Sequence, residues 1–174
     1  MSATASPPQT PLHSQKAVEK LKELAEKASV CMFCTELDQL SITSRPMYLQ
    51  EVDEEGNLWF ISSTESHKNQ EIVEDDRVQL FFMNNGKSEY LSVYGHAHAY
   101  TDKATIEDKW SVFANAWFDG KEDPTVSIIR VAPESGYYWD TKAGKLVSMI
   151  SFIGAIVSGT NTDNRDGVEG ELHL

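Results

Sequence analysis

The stretch from Ser41 to Asn69 most limits what this chain can become. It reads as strand, turn, strand and helix start. Ser41 to Gln50 has the alternation of a strand, running on to Val52, but Pro46 inside it cannot donate to a sheet ladder, so that strand has an edge or a bulge there. A bulge re-aims its neighbours, here Arg45 and Met47. Asp53-Glu54-Glu55-Gly56-Asn57 places its glycine late, as a hairpin loop with a left-handed residue requires. Leu58 to Ser63 is a buried strand, and Thr64-Glu65-Ser66-His67-Lys68-Asn69 opens a helix. Two adjacent strands therefore bring Arg45, several hydroxyls and Lys68 within reach of one another, beside aromatic and apolar surface. Free N–H groups at a helix start, hydroxyls from Thr64 and Ser66 and the charge of Lys68 suit an anion such as a phosphate. On spacing alone a plainer reading stands ahead of that one: a capped surface helix with a solvated lysine, and Arg45 in a surface ion pair.

The flanking pattern predicts the frame around this unit. Ala17, Val18, Leu21, Leu24, Ala25 and Ala28 recur at helical spacing over 16–28, with Ser14 as a candidate N-cap. Val30 to Leu37 is a short strand. A helix over about 66–75 turns Ile72 and Val73 inward. Val78 to Met83 is an apolar strand ended by Asn84-Asn85-Gly86, and Tyr90 to Thr101 is another, whose Gly95, Ala97 and Ala99 permit a close approach to one sheet face. Asp102 caps a helix to about Ala114 with Ile106, Trp110, Phe113 and Ala114 on one face, and Trp110, Phe113 and Trp117 read as core. Thr125 to Val131 and Ser135 to Asp140 form one long strand kinked at Pro133, followed by a turn at Lys142 to Lys145. Leu146 to Ser158 is a last, nearly all-apolar helix ended at Gly159, suited to a core or a subunit contact. The order lacks regular βαβ alternation and any GxGxxG opening a helix, so the expected fold is mainly β with peripheral helices (α+β), an antiparallel barrel rather than a doubly wound sheet. Residues 15–160 form the one domain, between a disordered tail over 1–14 and a flexible tail over 161–174.

Charge enters as an exclusion. With 15 basic against 27 acidic residues the formal net charge is −12, which removes the general basic footprint of a nucleic-acid binder. An anionic ligand then needs a local positive site such as Arg45 with Lys68. No run is long enough for a membrane span, the N-terminus does not read as a secretory signal, and two cysteines in 174 residues fit a reducing compartment, the cytoplasm.

Other motifs fail their own chemistry. Cys31-Met32-Phe33-Cys34 has redox spacing but falls in a strand rather than at a helix start, and one such pair cannot complete a zinc site, so both thiols read as packing. His96 and His98 share a strand face without a third ligand nearby, so no metal site is expected. Walker A, GxSxG and HExxH motifs are absent, and no catalytic residue is assignable.

From about Leu24 to Asp140 the chain resembles the pyridoxamine 5′-phosphate oxidase-like, FMN-binding split-barrel proteins, and within them the general stress protein 26 branch. The residues that carry the resemblance are Ser44-Arg45-Pro46-Met47, Leu58-Trp59-Phe60-Ile61-Ser62-Ser63, Ser66-His67-Lys68-Asn69 with Ile72, and Val78-Gln79-Leu80-Phe81-Phe82. Tyr94-Gly95-His96-Ala97, Tyr137-Tyr138-Trp139-Asp140 and the tail Gly167-Val168-Glu169-Gly170-Glu171-Leu172 complete the set. The resemblance implies an antiparallel split β-barrel and a cofactor, FMN, with FAD as an option. It implies that Arg45, Ser66 and Lys68 hold the phosphate, that Pro46 and Met47 lie along the ring edge, and that Ile61, Ser62 and Ser63 follow the ribityl chain and ring. Trp139 would stand beside the flavin from a partner subunit, in a homodimer with the site at its interface.

Two departures qualify what the resemblance implies. His67 occupies the place of a second arginine before the lysine, and after Trp139 the chain reads Asp140-Thr141-Lys142-Ala143-Gly144-Lys145-Leu146, without the Arg- and His-containing segment that grips pyridoxal phosphate. The resemblance thus points to flavin binding and away from vitamin B6 oxidation. A flavin-dependent oxidoreductase, a non-catalytic flavin sensor or reservoir, and a haem or deazaflavin binder on the same barrel all remain open at this point.

Overall fold

The computed structural model of the chain describes residues 12–13, 15–141 and 167–174. The candidate cap Ser14, the turn at 142–145 and the expected helix over 146–158 with its stop at Gly159 lie outside the described residues. In order, the elements are β1 (Leu12–His13), α1 (Gln15–Ala28), β2 (Val30–Thr35), β3 (Thr43–Val52), β4 (Leu58–Ser63) and α2 (His67–Glu74). There follow β5 (Arg77–Asn84), β6 (Glu89–Tyr100), α3 (Lys103–Lys109), a 3-10 turn over Val112–Ala116, β7 (Val126–Thr141) and β8 (Gly167–His173). Among the described residues no helix is long and apolar enough to cross a membrane.

Strands β2 to β7 run in the order β7-β4-β3-β2-β5-β6 and close through a β6–β7 pairing, so six strands form an antiparallel barrel. Its interior follows from alternation: Phe33, Phe60, Leu80, Phe82, Val93 and Val131 point inward and are almost fully buried. Phe33 and Phe60 meet edge to face at 5.5 Å. Helix α1 lays its apolar stripe, Ala17, Leu21, Leu24 and Ala25, against β3, β5 and β6. Each large side chain so buried contributes about 1.5–3 kcal/mol.

The barrel is split at the proline. β2 pairs with β3 from Thr43 through Tyr48, but β4 pairs with β3 only at Leu49, Glu51 and Val52. Pro46 therefore lies where β3 has one partner and one open side, which is where a strand tolerates a missing N–H. The irregularity falls between Leu49 and Glu51 rather than at Pro46 itself. Past it, Ile61, Ser62 and Ser63 of β4 pair only with β7, leaving a gap between the first half of β3 and the second half of β4.

The kink expected at Pro133 is a bulge: Tyr94 faces Ser135 and Gly95 faces Pro133, so Glu134 has no counterpart on β6. A Cβ on Gly95 would stand 2.3 Å from the Ala132 carbonyl oxygen, so the close approach inferred from the small residues is that of β7's own backbone. Gly56 closes the 53–57 turn at φ +90°, and Asp102 caps α3 by accepting from the Thr105 amide at 2.9 Å.

Two expectations are corrected, and two observations concern the tails. Ile72 faces inward but Val73 is exposed, because adjacent positions on a helix of eight residues diverge by about 100°. The helix after Asp102 ends at Lys109 instead of running to Ala114, and the 3-10 turn after it leaves Phe113 exposed. Residues 167–173, within the tail expected to be flexible, form β8 and pair with β7 from Ser135 to Thr141, and Leu172 is fully buried. Leu12 and His13, from the tail expected to be disordered, pair in parallel with Leu172 and His173.

Candidate functional site

Helix α2 packs against β2 and β6 and turns two charged side chains toward the strands. Lys68 and Glu71, one turn apart, share the face turned toward the strands. On β3 the side chains of Arg45, Met47 and Leu49 alternate inward, and Arg45 reaches Glu71 from this strand, the neighbour of β2. Arg45 donates Nη2 to Glu71 Oε2 at 2.7 Å and Nη1 to Thr35 Oγ1 at 2.7 Å, and the Thr35 hydroxyl donates to the same Glu71 oxygen at 2.6 Å. The arginine is thus held in a closed triangle with β2 and α2 rather than in a surface ion pair.

Lys68 is 8 % exposed and donates to Ser66 Oγ at 2.9 Å. Burial, and after it the Arg45 guanidinium, pulls its pKa down to about 8, with the Glu71 carboxylate working the other way. Two cations and one anion therefore share a largely dry corner, which leaves a net positive charge inside an acidic protein. Ser66 precedes α2 with an extended backbone and its side chain makes no cap hydrogen bond, so its oxygen serves the lysine instead of the helix amides. His67, between them, is exposed.

A second, neutral network fixes where α2 begins. Ser62 Oγ donates to Asn69 Oδ1 at 3.2 Å, and Asn69 Nδ2 donates to Ser127 Oγ at 2.7 Å. All three are buried, and Ser62 and Ser127 are direct partners across β4 and β7. Lys68 is the residue before Asn69, so this network anchors the backbone that carries it.

On the outer side of the split lies a cavity of about 800 Å³. Pro46, Met47 and Tyr48 line it from β3, Ile61 and Ser63 from β4, and Glu65 and Thr125 from the flanking loops. Phe113, Ala114, Trp117 and Phe118 close the far wall. Its volume is that of a site for a drug-sized or cofactor-sized molecule. Pro46 and Glu65 in the lining are the chain neighbours of Arg45 and Ser66, so the cavity and the charged corner adjoin along the backbone. The structure brings Pro46, Met47, Ile61 and Ser63 together in the cavity and Arg45, Ser66 and Lys68 in the corner. It turns Ser62 to the other face of β4, into the neutral network. Phe113 and Trp117, 72 % and 75 % exposed, are not core, because the 3-10 turn holds them out over the groove.

Trp139 stands apart from these residues. It stacks near Tyr137 at 4.6 Å and shares an open apolar face with Met32, Phe81, Met83 and Tyr90. The remaining candidates behave as packing or surface groups. Cys31 and Cys34 are free and buried, and burial pushes both thiols up. His96 bridges Asp76 at 2.9 Å and Glu134 at 3.1 Å, and the hydrogen bonds to those carboxylates raise its pKa.

The pyridoxamine 5′-phosphate oxidase like family model matches residues 16–163. The chain belongs to this family. Within it, the chain is 34% identical over 77 residues to general stress protein 26 of Bacillus subtilis, covering 42% of this chain and 54% of that one. The chain spans about half the length of the curated relatives it matches. Among solved structures, a general stress protein 26 from Jannaschia aligns with a TM-score of 0.65 at 20% identity, over 92% of this chain and 96% of that chain. A general stress FMN/FAD binding protein from Xanthomonas citri aligns with a TM-score of 0.64 at 22% identity, over 75% of this chain and 93% of that chain. At these identities the structural likeness fixes the fold, and the barrel is the split β-barrel of the family.

Sequence reasoning reached Arg45, Ser66 and Lys68 but missed Thr35, Glu71, Asn69 and Ser127. Only Glu71 carried a local signal, its place one turn after Lys68 on the same helix face.

Proposed function

We propose that this chain binds a flavin nucleotide, FMN, with the phosphate at Arg45, Ser66 and Lys68 and the ring in the groove between β3 and β4. The observation that carries this reading is the buried lysine beside the half-buried arginine. A lysine ammonium is rarely held out of water next to another cation unless an anion completes the site. The groove fits the other end of such a ligand, being apolar at Pro46, Met47 and Ile61, aromatic at Phe113 and Trp117, and supplied with a hydroxyl at Ser63. The binding named for the Xanthomonas citri protein of the same fold supports the choice of a flavin.

The chain's own residues would neutralise the phosphate, hold the ring against β3 and shield it from water with the 3-10 segment. A bound flavin supplies hydride or electron transfer, and the chain would then serve as an oxidoreductase toward a small molecule. Two copies would complete the site. The face with Met32, Phe81, Met83 and Trp139 is exposed and apolar, and a second copy seated there would bring Trp139 toward the flavin.

The test is fluorescence titration of the purified chain with FMN and with riboflavin, for the wild type, Arg45→Ala and Lys68→Ala. Each charged hydrogen bond lost weakens FMN roughly 10- to 100-fold and leaves riboflavin nearly unchanged. Reduction of the bound flavin by NADH or NADPH then separates an enzyme from a reservoir. Failure of the wild type to take up FMN sinks the proposal.

A further inference from the structure

The irregularity in β3 shapes a second cavity beside the groove. Leu49 faces Phe60 and Glu51 faces Trp59, consecutive residues of β4, so Gln50 is the extra residue of a bulge and has no counterpart there. A bulge re-aims its side chains, and Gln50 and Glu51, adjacent in sequence, both line a chamber of about 220 Å³. Tyr48, Gln50 and Phe113 border this chamber and the larger groove alike, and Trp110 and Ser111 complete its wall. Among the described residues no hydrogen-bond partner meets the half-buried Gln50 amide. The charge here is mostly of one sign. Lys109 is the one cation among the described residues lining either cavity, and it is already engaged. It pairs with Glu51 and with Asp108, the latter at 3.1 Å, and stands 4.5 Å over the Trp59 ring. One cation between two carboxylates leaves the chamber acidic, and Glu65 adds to this along the groove.

We propose that this chamber recognises a second ligand of the flavin groove, and that it takes an uncharged aromatic carboxamide and refuses the corresponding carboxylate. The inference rests on the flavin-nucleotide reading above, which fills the larger groove with the ring. Sites for drug-sized ligands run from roughly 300 to 1,000 Å³. The chamber is smaller, so it holds one ring with a short polar group rather than a nucleotide. A primary carboxamide carries an acceptor and two donors, as the Gln50 side chain does, so the two can exchange a pair of N–H···O bonds. Tyr48, Trp110 and Phe113 offer aromatic surface to the ring. A carboxylate in the same place meets Glu51 and Asp108, finds the Lys109 ammonium engaged, and gains no charge from Gln50. Arg45 and Gln50 stand about 16 Å apart along β3 at about 3.3 Å per residue. A ligand in the chamber therefore approaches the flavin ring from the end opposite its phosphate.

The experiment is NMR of the isotopically labelled full chain, titrated with benzamide and with benzoate, first without flavin and then saturated with FMN. It reads the Gln50 side-chain amide and the Trp110 indole. Benzamide is expected to shift both signals with roughly millimolar affinity, and benzoate to bind about tenfold more weakly. Gln50→Met, which keeps the length and removes the amide, is expected to lose about tenfold for benzamide. Asp108→Asn, at a side chain 70% exposed, is expected to gain about threefold for benzoate relative to benzamide. Benzoate binding as tightly as benzamide overturns the proposal. So do a Gln50→Met variant with full benzamide affinity and an Asp108→Asn variant with an unchanged ratio. Displacement of benzamide by FMN overturns it too, because the chamber then belongs to the flavin's own site. Should Gln50→Met fail to fold, the wild-type ratio and Asp108→Asn decide. Uptake of FMN without benzamide binding removes the chamber alone, whereas benzamide binding at Gln50 without FMN uptake removes the flavin reading and leaves an amide pocket.

Discussion

Replacing Lys68 by methionine should make the empty protein more stable and at the same time disable it. The methionine keeps an unbranched apolar stem and removes the ammonium that burial and Arg45 disfavour. A drop from the ordinary 10.5 to about 8 corresponds to roughly 3 kcal/mol, at about 1.4 kcal/mol per tenfold change in proton affinity. The bond from Lys68 to Ser66 Oγ, 2.9 Å long, is lost in the variant and takes back about 1 kcal/mol, so a gain of about 2 kcal/mol remains at neutral pH. The sign with pH follows from proton counting. The unfolded chain keeps this proton up to 10.5 while the folded chain releases it near 8, so between the two the unfolded state binds more protons and wild-type stability rises with pH. The advantage of Lys68→Met is therefore full below about pH 8 and fades as pH climbs toward 10.5. Urea unfolding of both proteins without flavin, at several pH values from neutral to alkaline, measures the difference directly. A variant less stable than wild type at neutral pH, or a gain that does not change with pH, would refute the picture of a lysine held charged against its environment. The same variant should lose FMN affinity, the usual exchange of stability for a binding site.

Two further outcomes follow from other parts of the frame. Asn69→Ala strands the buried hydroxyls of Ser62 and Ser127 and should lower unfolding stability by about 2–4 kcal/mol, with a strongly non-additive double mutant Asn69→Ala/Ser127→Ala; additive losses would mean the network is not a unit. Gly95→Ala places a methyl group against the Ala132 carbonyl at the β6–β7 bulge and should cost more than about 2 kcal/mol in the same assay, a loss that a neutral result would contradict.

How far the sequence reveals the molecule depends on whether a residue's partner is local. Pro46 marks the split because a missing N–H is a property of proline itself, and β3 is unpaired toward β4 at that position. The helix start near Ser66 and His67 was legible from local residues as well. Val73 misled because a hydrophobic pair at adjacent positions satisfies no helical period, and the barrel end has room for one of them. The tail at 167–173 is polar and glycine-rich, which composition reads as loose chain. What orders it is distant: β7 is 16 residues long, β4 covers it only from Val126 to Val131, and the open edge beyond invites another strand. Phe113 and Trp117 show the same dependence from the other side. Their spacing suits a buried face, but Asp102 stops supporting a helix at Lys109, and the 3-10 turn that follows swings both rings outward over the groove.

The charged corner joins residues of both kinds, local and distant. Arg45 and Lys68 carry charge wherever they are placed, so their chemistry could be named from the sequence. How the pair is held could not, because it depends on Glu71 and Thr35, which come from α2 and β2, each accept from Arg45 at 2.7 Å and are joined to each other at 2.6 Å. A grip of two cations would take any phosphate. Here the two cations sit with a carboxylate that bonds both Arg45 and Thr35, and that residue resembles an ordinary helix-surface glutamate in the sequence. The fold therefore sets the position of Arg45 through two residues far from it in sequence, Thr35 on β2 and Glu71 on α2, and a change at either is expected to move the guanidinium before it touches the barrel.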